Sequence, residues 1–212
     1  MQIVIVLYDR VTALDAIGPY EVLSRMPGAE VVFAAVEAGT VRTDVGSLGL
    51  VADVALAAVP SPDVVLVPGG PGQMEQMEDG PLHAWLRAAD ATSTWTTSVC
   101  TGSLILAAAG LLRGRRATSH WLALEQLTGR GAEPAHERVV FDGKYVTAAG
   151  VSAGIDMALT LAGRIAGDEV AQTIQLGIEY DPQPPYAAGS AQSAPPHLVE
   201  RLREASRFVL NG

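Results

Sequence analysis

Residues 3–7 (IVIVL) form a continuous run of β-branched and aliphatic side chains with no polar residue, the pattern of a strand buried on both faces. A strand without a wet face must be covered from two sides, which leaves few architectures open to the chain. Residues 63–67 (DVVLV) and 94–99 (TWTTSV) read the same way, each followed by glycine or by a helix start, and 29–36 (AEVVFAAV) is a further strand candidate. Helical patterns lie between and after them at 19–26, 81–91 and 101–109, the last stopped by Gly110. Strands alternating with helices of about ten residues imply a mostly parallel sheet with helices on both faces, a three-layer α/β sandwich.

Residues 139–148 (VVFDGKYVTA) add a hairpin with an Asp-Gly turn. Segments 152–166 and 168–179 read as consecutive amphipathic helices with Ser152 and Asp168 as N-cap candidates. After Tyr180 the chain turns to DPQPPYAAGSAQSAPP before a last helix over 197–210. Tyr180 and Tyr186 favour an ordered arm over a flexible linker, so 1–212 reads as one domain whose segment 180–212 packs on the body or on a partner subunit.

Composition narrows the function classes. The 212 residues are 49% hydrophobic and 17% charged, enough to bury a substantial core. With 14 Lys and Arg against 23 Asp and Glu the net charge is −9, and the basic residues are scattered apart from Arg113, Arg115 and Arg116. That balance argues against nucleic acid or an anionic membrane as partner. The first apolar run has no positive charge ahead of it and ends at Asp9 and Arg10, too early for a signal peptide. The longest later one, 104–112, is about half of the ~20 residues that a membrane span requires. The expectation is a soluble, cytoplasmic protein acting on a small molecule. One cysteine precludes an internal disulfide and a zinc site built on several cysteines, and the four histidines lack metal-ligand spacing, so no metal is expected.

That cysteine, Cys100, follows one strand run and opens a helix (SVCTGS). Active sites of open parallel sheets gather beyond the carboxyl ends of the strands, and a sharp strand-to-helix turn pushes its central side chain outward as a nucleophile elbow. The dipole of the helix beginning at Thr101 favours thiolate by at most ~2 kcal/mol, about one and a half pKa units. A buried, inert cysteine is the bland alternative. The loop VPGGPG follows the run 63–67 and opens at the same sheet edge, where Gly69 and Gly70 offer N–H groups to a developing negative charge; it lacks the lysine and spacing of a phosphate loop. Asp15, after the first strand, suits either an N-cap or a general acid and base that shares one proton with Cys100. His120 invites a Cys-His-Asp triad reading and His136 is a second candidate for that direct role, the alternative for both being polar packing near the site or at an interface, whereas His83 and His197 are placed on exposed helix faces.

Taken together, LDAIGPYEVL, VLVPGGPG and SVCTGSLILAAAGLL resemble the ThiJ/PfpI superfamily, whose fold is a flavodoxin-like sandwich related to the class I glutamine amidotransferases. Within it the chain is most similar to the isocyanide (isonitrile) hydratases, over nearly its whole length, including GRRATSHW and QLGIEYDPQPPYAAGS. The resemblance implies cofactor-free hydration of an isocyanide to an N-substituted formamide. It implies Cys100 as nucleophile, Asp15 as acid and base, Thr101 as a helper beside the sulfur, and a homodimer with the site near the subunit interface. Thr101 stands where the protease-like branch places histidine, which argues against peptidase activity. The other readings are a glyoxalase- or deglycase-like enzyme, and a ligand or redox sensor of the kind fused to DNA-binding domains.

Overall fold

In the computed structural model, which describes residues 1–206, the run 3–7 forms most of β1 (Gln2–Val6), and Ile3, Val4, Ile5 and Val6 have no accessible surface. The chain continues through α1 (Ala13–Leu23), β2 (Glu30–Ala35), a hairpin of β3 (Gly39–Arg42) and β4 (Gly49–Ala52), and a two-residue β5 (Val54–Ala55). Next come β6 (Val64–Val67), α2 (Pro81–Asp90), β7 (Trp95–Val99) and α3 (Gly102–Ala108), then short strands β8 (Arg116–Ala117) and β9 (Glu133–Pro134). β10 (Val139–Asp142), β11 (Tyr145–Ala148), α4 (Ala153–Ala166), α5 (Asp168–Gly177) and α6 (Pro196–Glu204) follow.

The main sheet has the order β10-β11-β7-β6-β1-β2-β5, parallel except for β10 at its edge. β1 to β2 moves one way along the sheet, β6 to β7 the other, and right-handed crossovers therefore put α1 and α2 on opposite faces. α1 packs with α4 and α4 with α5, while α2 packs with α3. The direction reverses between β1 and β6, the crevice where such sheets hold their sites. The expected α/β sandwich is the fold.

Several boundaries differ from the sequence pattern. α1 starts at Ala13 and encloses Pro19, which the pattern took as a helix start. Burial compensates for the missing N–H: Pro19 packs over Gly154 and Gly18 over Ile155, bringing α1 and α4 close together. Asp15 is consequently not an N-cap but a wholly buried residue of the first turn. Ser152 does stand at an N-cap, without a capping hydrogen bond, whereas Gly167 rather than Asp168 precedes α5. The β10–β11 pairing of Asp142 with Tyr145 makes Gly143-Lys144 the two-residue loop, with Gly143 at φ 61°. Asp142 thus belongs to the strand.

His83 is buried rather than exposed: it is 1% accessible and its Nε2 lies 2.8 Å from the Gln76 carbonyl oxygen. Beyond α5, Tyr180 donates to Asp156 of α4 at 3.0 Å, and Tyr186 is exposed. α6 buries no residue. The part of the expected last helix beyond residue 206 lies outside the described residues.

α3 docks on β6 through Gly102, where a Cβ would lie 2.0 Å from the Val67 carbonyl oxygen and 2.8 Å from that of Pro68. Gly102→Ala must push helix from sheet. Urea unfolding should show a loss of about 2–3 kcal/mol, whereas a wild-type midpoint would mean that the contact relaxes at no cost.

Candidate active site

Cys100 leaves β7 at φ 57°, a left-handed conformation that a side-chain-bearing residue adopts only when its surroundings impose it. Its N–H is shared by the carbonyls of Ala148 (3.0 Å) and Ala149 (2.9 Å) at the end of β11, and its carbonyl accepts from Ser103 Oγ (3.1 Å) and Ser119 Oγ (3.0 Å). These bonds fix the elbow from three directions. The expected sharp strand-to-helix turn is present, but the side chain it was expected to push outward has no accessible surface.

The glycine loop after β6 meets this elbow. Gly69 donates its N–H to Asp15 Oδ2 at 2.9 Å, and Gly70 donates to Thr101 Oγ1 at 3.0 Å. A Cβ on Gly69 would lie 2.5 Å from the Thr101 nitrogen and 2.9 Å from Asp15 Oδ2, so only glycine lets the loop touch both. This corrects the reading of these glycines as open donors to a reacting atom. Both N–H groups hold protein side chains in place, and the donors that reach the sulfur are the N–H groups of Thr101 and of Val151, just beyond β11.

Asp15, Cys100 and Thr101 are all wholly buried. Burial is the main cause that raises the Asp15 carboxyl from its usual 3.8 to about 7; the nearby charge of Asp44 adds to the rise, while the Gly69 N–H and the Cys100 thiol oppose it. Burial also pushes the thiol well above its usual value, as does Asp15, and the Val151 and Thr101 N–H groups pull the other way. Asp15 Oδ1 has no hydrogen-bond partner among the described residues. Tyr8 lies near both acids, its hydroxyl donating to Pro68 O at 2.8 Å, and burial raises it too. Near neutrality the thiol keeps its proton while Asp15 stands at its midpoint, so the carboxyl can take that proton and return it.

His120 is half-buried, its ring against Gly150, and burial lowers it to about 4. Its Nδ1 accepts the Leu122 N–H at 3.2 Å, which assigns the ring proton to Nε2 and makes it a neutral donor beside the elbow. His136 is exposed, between β9 and β10. The sequence reading missed Val151, Ser119 and Tyr8. Their signal is positional: Tyr8 and Val151 follow strands whose ends share one sheet edge. Among the described residues no group of three or more His, Cys, Asp or Glu side chains could hold a metal ion, and no helix is long and apolar enough to cross a membrane. A cavity of about 570 Å³ lies between α4 and α5, and one of about 300 Å³ includes Tyr8; neither is lined by Cys100 or Asp15.

A cysteine held at a strand-to-helix elbow on a mostly parallel sheet, with a buried carboxyl delivered from beyond β1, two strands away, defines a cysteine-elbow α/β protein. The sequence places it further: the chain belongs to the DJ-1/PfpI family, which it matches over residues 1–164. It is 42% identical to the isonitrile hydratase of Pseudomonas putida over 204 residues, 96% of this chain and 89% of that protein. A ThiJ/PfpI family protein from Pseudomonas syringae superposes with a TM-score of 0.93 at 37% identity, covering 96% of this chain and 85% of the other. The HTH-type transcriptional regulator CdhR of Pseudomonas aeruginosa is 33% identical over 129 residues, 60% of this chain but 35% of the regulator.

Because Asp15 binds its proton more tightly in the folded protein (about 7) than at its usual 3.8, its contribution to stability is complete below 3.8 and is lost as pH rises through 7. Asp15→Asn should flatten that decline, an effect on the order of a few kcal/mol between pH 5 and 8 in urea unfolding. An equal decline in both proteins would show that Asp15 ionises as freely folded as unfolded.

Proposed function

We propose that this protein hydrates isocyanides, R–N≡C, to N-substituted formamides through a covalent intermediate on Cys100. The observation that carries the reading is the buried Cys100–Asp15 pair, a thiol beside a carboxyl able to carry its proton. It is supported by the identity to the Pseudomonas putida isonitrile hydratase over nearly the whole chain.

The terminal isocyanide carbon is electrophilic and has no leaving group, so the reaction needs a nucleophile and a proton rather than the acyl-transfer machinery of a peptidase. Asp15 takes the thiol proton as sulfur attacks that carbon, then delivers it to the same carbon. The product is the thioimidate Cys–S–CH=N–R. Water adds to the imine carbon, Asp15 taking a proton from it and passing one to nitrogen. The tetrahedral adduct breaks its C–S bond, the hydroxyl proton returns to sulfur by way of Asp15, and R–NH–CHO leaves. The Thr101 and Val151 N–H groups hold negative charge on sulfur at the first and last steps. Thr101 Oγ1, tied to Gly70, fixes the loop whose Gly69 N–H holds Asp15. Since the pair has no accessible surface, substrate entry requires the surrounding side chains to part.

Formamide should appear when the protein is incubated with a panel of alkyl and aryl isocyanides, and Cys100→Ala should lose at least about a thousandfold in kcat/KM. An alkylatable Cys100 that gives no formamide from any of them would sink the hydratase reading. Asp15 is the base only when ionised, so kcat/KM should rise with pH to a plateau, with its midpoint near 7. Asp15→Asn should leave a thiol that iodoacetamide still modifies but that does not turn over. Wild-type turnover in this variant would remove Asp15 from the mechanism.

A further inference from the structure

The Val151 N–H reaches the sulfur from a turn whose backbone is unusual: Val151 has φ 24°, which a β-branched residue holds only under constraint. The constraint is visible in Arg138, just before β10. Its carbonyl accepts the Ala149 N–H at 2.9 Å, ahead of Val151. Its guanidinium passes to the other side of the turn, donating to Ser152 Oγ at 3.3 Å and pairing through Nε with Asp156 in the first turn of α4. Tyr180, at the start of the proline-rich segment, donates to the second oxygen of Asp156 at 3.0 Å. The Ala149 carbonyl in turn accepts the Cys100 N–H at 2.9 Å, so turn and elbow form one hydrogen-bonded unit gripped from outside by a single side chain.

We propose that Arg138, backed by Asp156 and Tyr180, is a positioning residue for the chemistry of Cys100: by fixing residues 149–152 it keeps the Val151 N–H on the sulfur. This rests on the reading of Cys100 as nucleophile. Arg138 itself is not among the groups that bear on the sulfur. Those are Asp15 from α1 and the Thr101 and Val151 N–H groups, with Tyr8 beyond β1 and the neutral His120 ring against Gly150 close by. All of them remain when Arg138 is changed. The Arg138 and Asp156 side chains are 51% and 32% exposed, so their pairing contributes little to stability. Its effect falls on the position of one N–H.

The test is alkylation of Cys100 by iodoacetamide in the full chain as a function of pH, normalised to the high-pH plateau so that changes in access cancel, with thermal melting alongside. In Arg138→Ala the midpoint should move upward, lowering the normalised rate on the rising limb roughly tenfold or more, about the worth of one lost hydrogen bond to a charged atom. Tm should change little. Arg138→Lys should recover part of the loss, because an ammonium can pair with Asp156 but lacks the fork that also reaches Ser152. The charge-neutral Tyr180→Phe should shift the midpoint the same way by a smaller factor, which separates positioning from a change in net charge. Asp156→Asn carries the same expectation if Arg138→Ala folds poorly. Unmoved midpoints in the folded variants, or changes confined to Tm, would overturn the inference. Isocyanide turnover is read separately, with kcat expected to fall and KM to hold. Upward midpoints in a protein that hydrates no isocyanide would support Arg138 and sink the hydratase reading alone.

Discussion

Two acids, the Asp15 carboxyl and the Cys100 thiol, are buried side by side, and among the described residues no lysine or arginine offsets the rise that burial imposes on either. A cation there would draw the proton off permanently and leave a fixed thiolate. Peptide N–H groups from Gly69, Thr101 and Val151 instead supply partial charges, enough to tolerate an anion without settling which atom carries it. A mobile proton is what the addition of water across a carbon atom with no leaving group demands. The stability that Asp15 itself contributes is lost over the same pH range in which its carboxyl ionises.

The fold meets this constraint by bringing four strand ends to one edge. Asp15 follows β1, Gly69 and Gly70 follow β6, Cys100 and Thr101 follow β7, and Val151 follows β11. The four groups are remote in sequence from one another, yet each sits beyond the end of a strand whose register its neighbours fix. The absence of a side chain at Gly69 and Gly102 brings loop and helix close enough for backbone donors to serve as the site's electrostatics. Arg138 and Tyr180 extend the arrangement outward, tying the Val151 turn to α4 and to the chain beyond α5.

Much of this was legible in the sequence because burial on two faces leaves a pattern. The run 3–7, with no polar residue, has the pattern of an interior strand, and Cys100 at the end of another strand run is placed at the carboxyl edge. Asp15 and the glycine loop followed from the same reasoning. The details that failed depend on partners distant in sequence. Pro19 is helical because Gly154 leaves room for its ring, and Gly70 is no open donor because Thr101 Oγ1 accepts its N–H. His83 is buried among contacts that its helix alone does not specify. Val151 carries no chemistry in its side chain, so only the placement of its N–H reveals its part.

The central claim is that Asp15 holds and releases the proton that Cys100 gives up. Infrared difference spectroscopy of the protein, with Asp15→Asn as reference, observes this directly as the carbonyl band of a buried, protonated carboxyl. The account predicts that the band persists at pH 5 and is lost as pH rises through about 7. A carboxylate already ionised at pH 5, with its band lost near 3.8, the usual value, would contradict it.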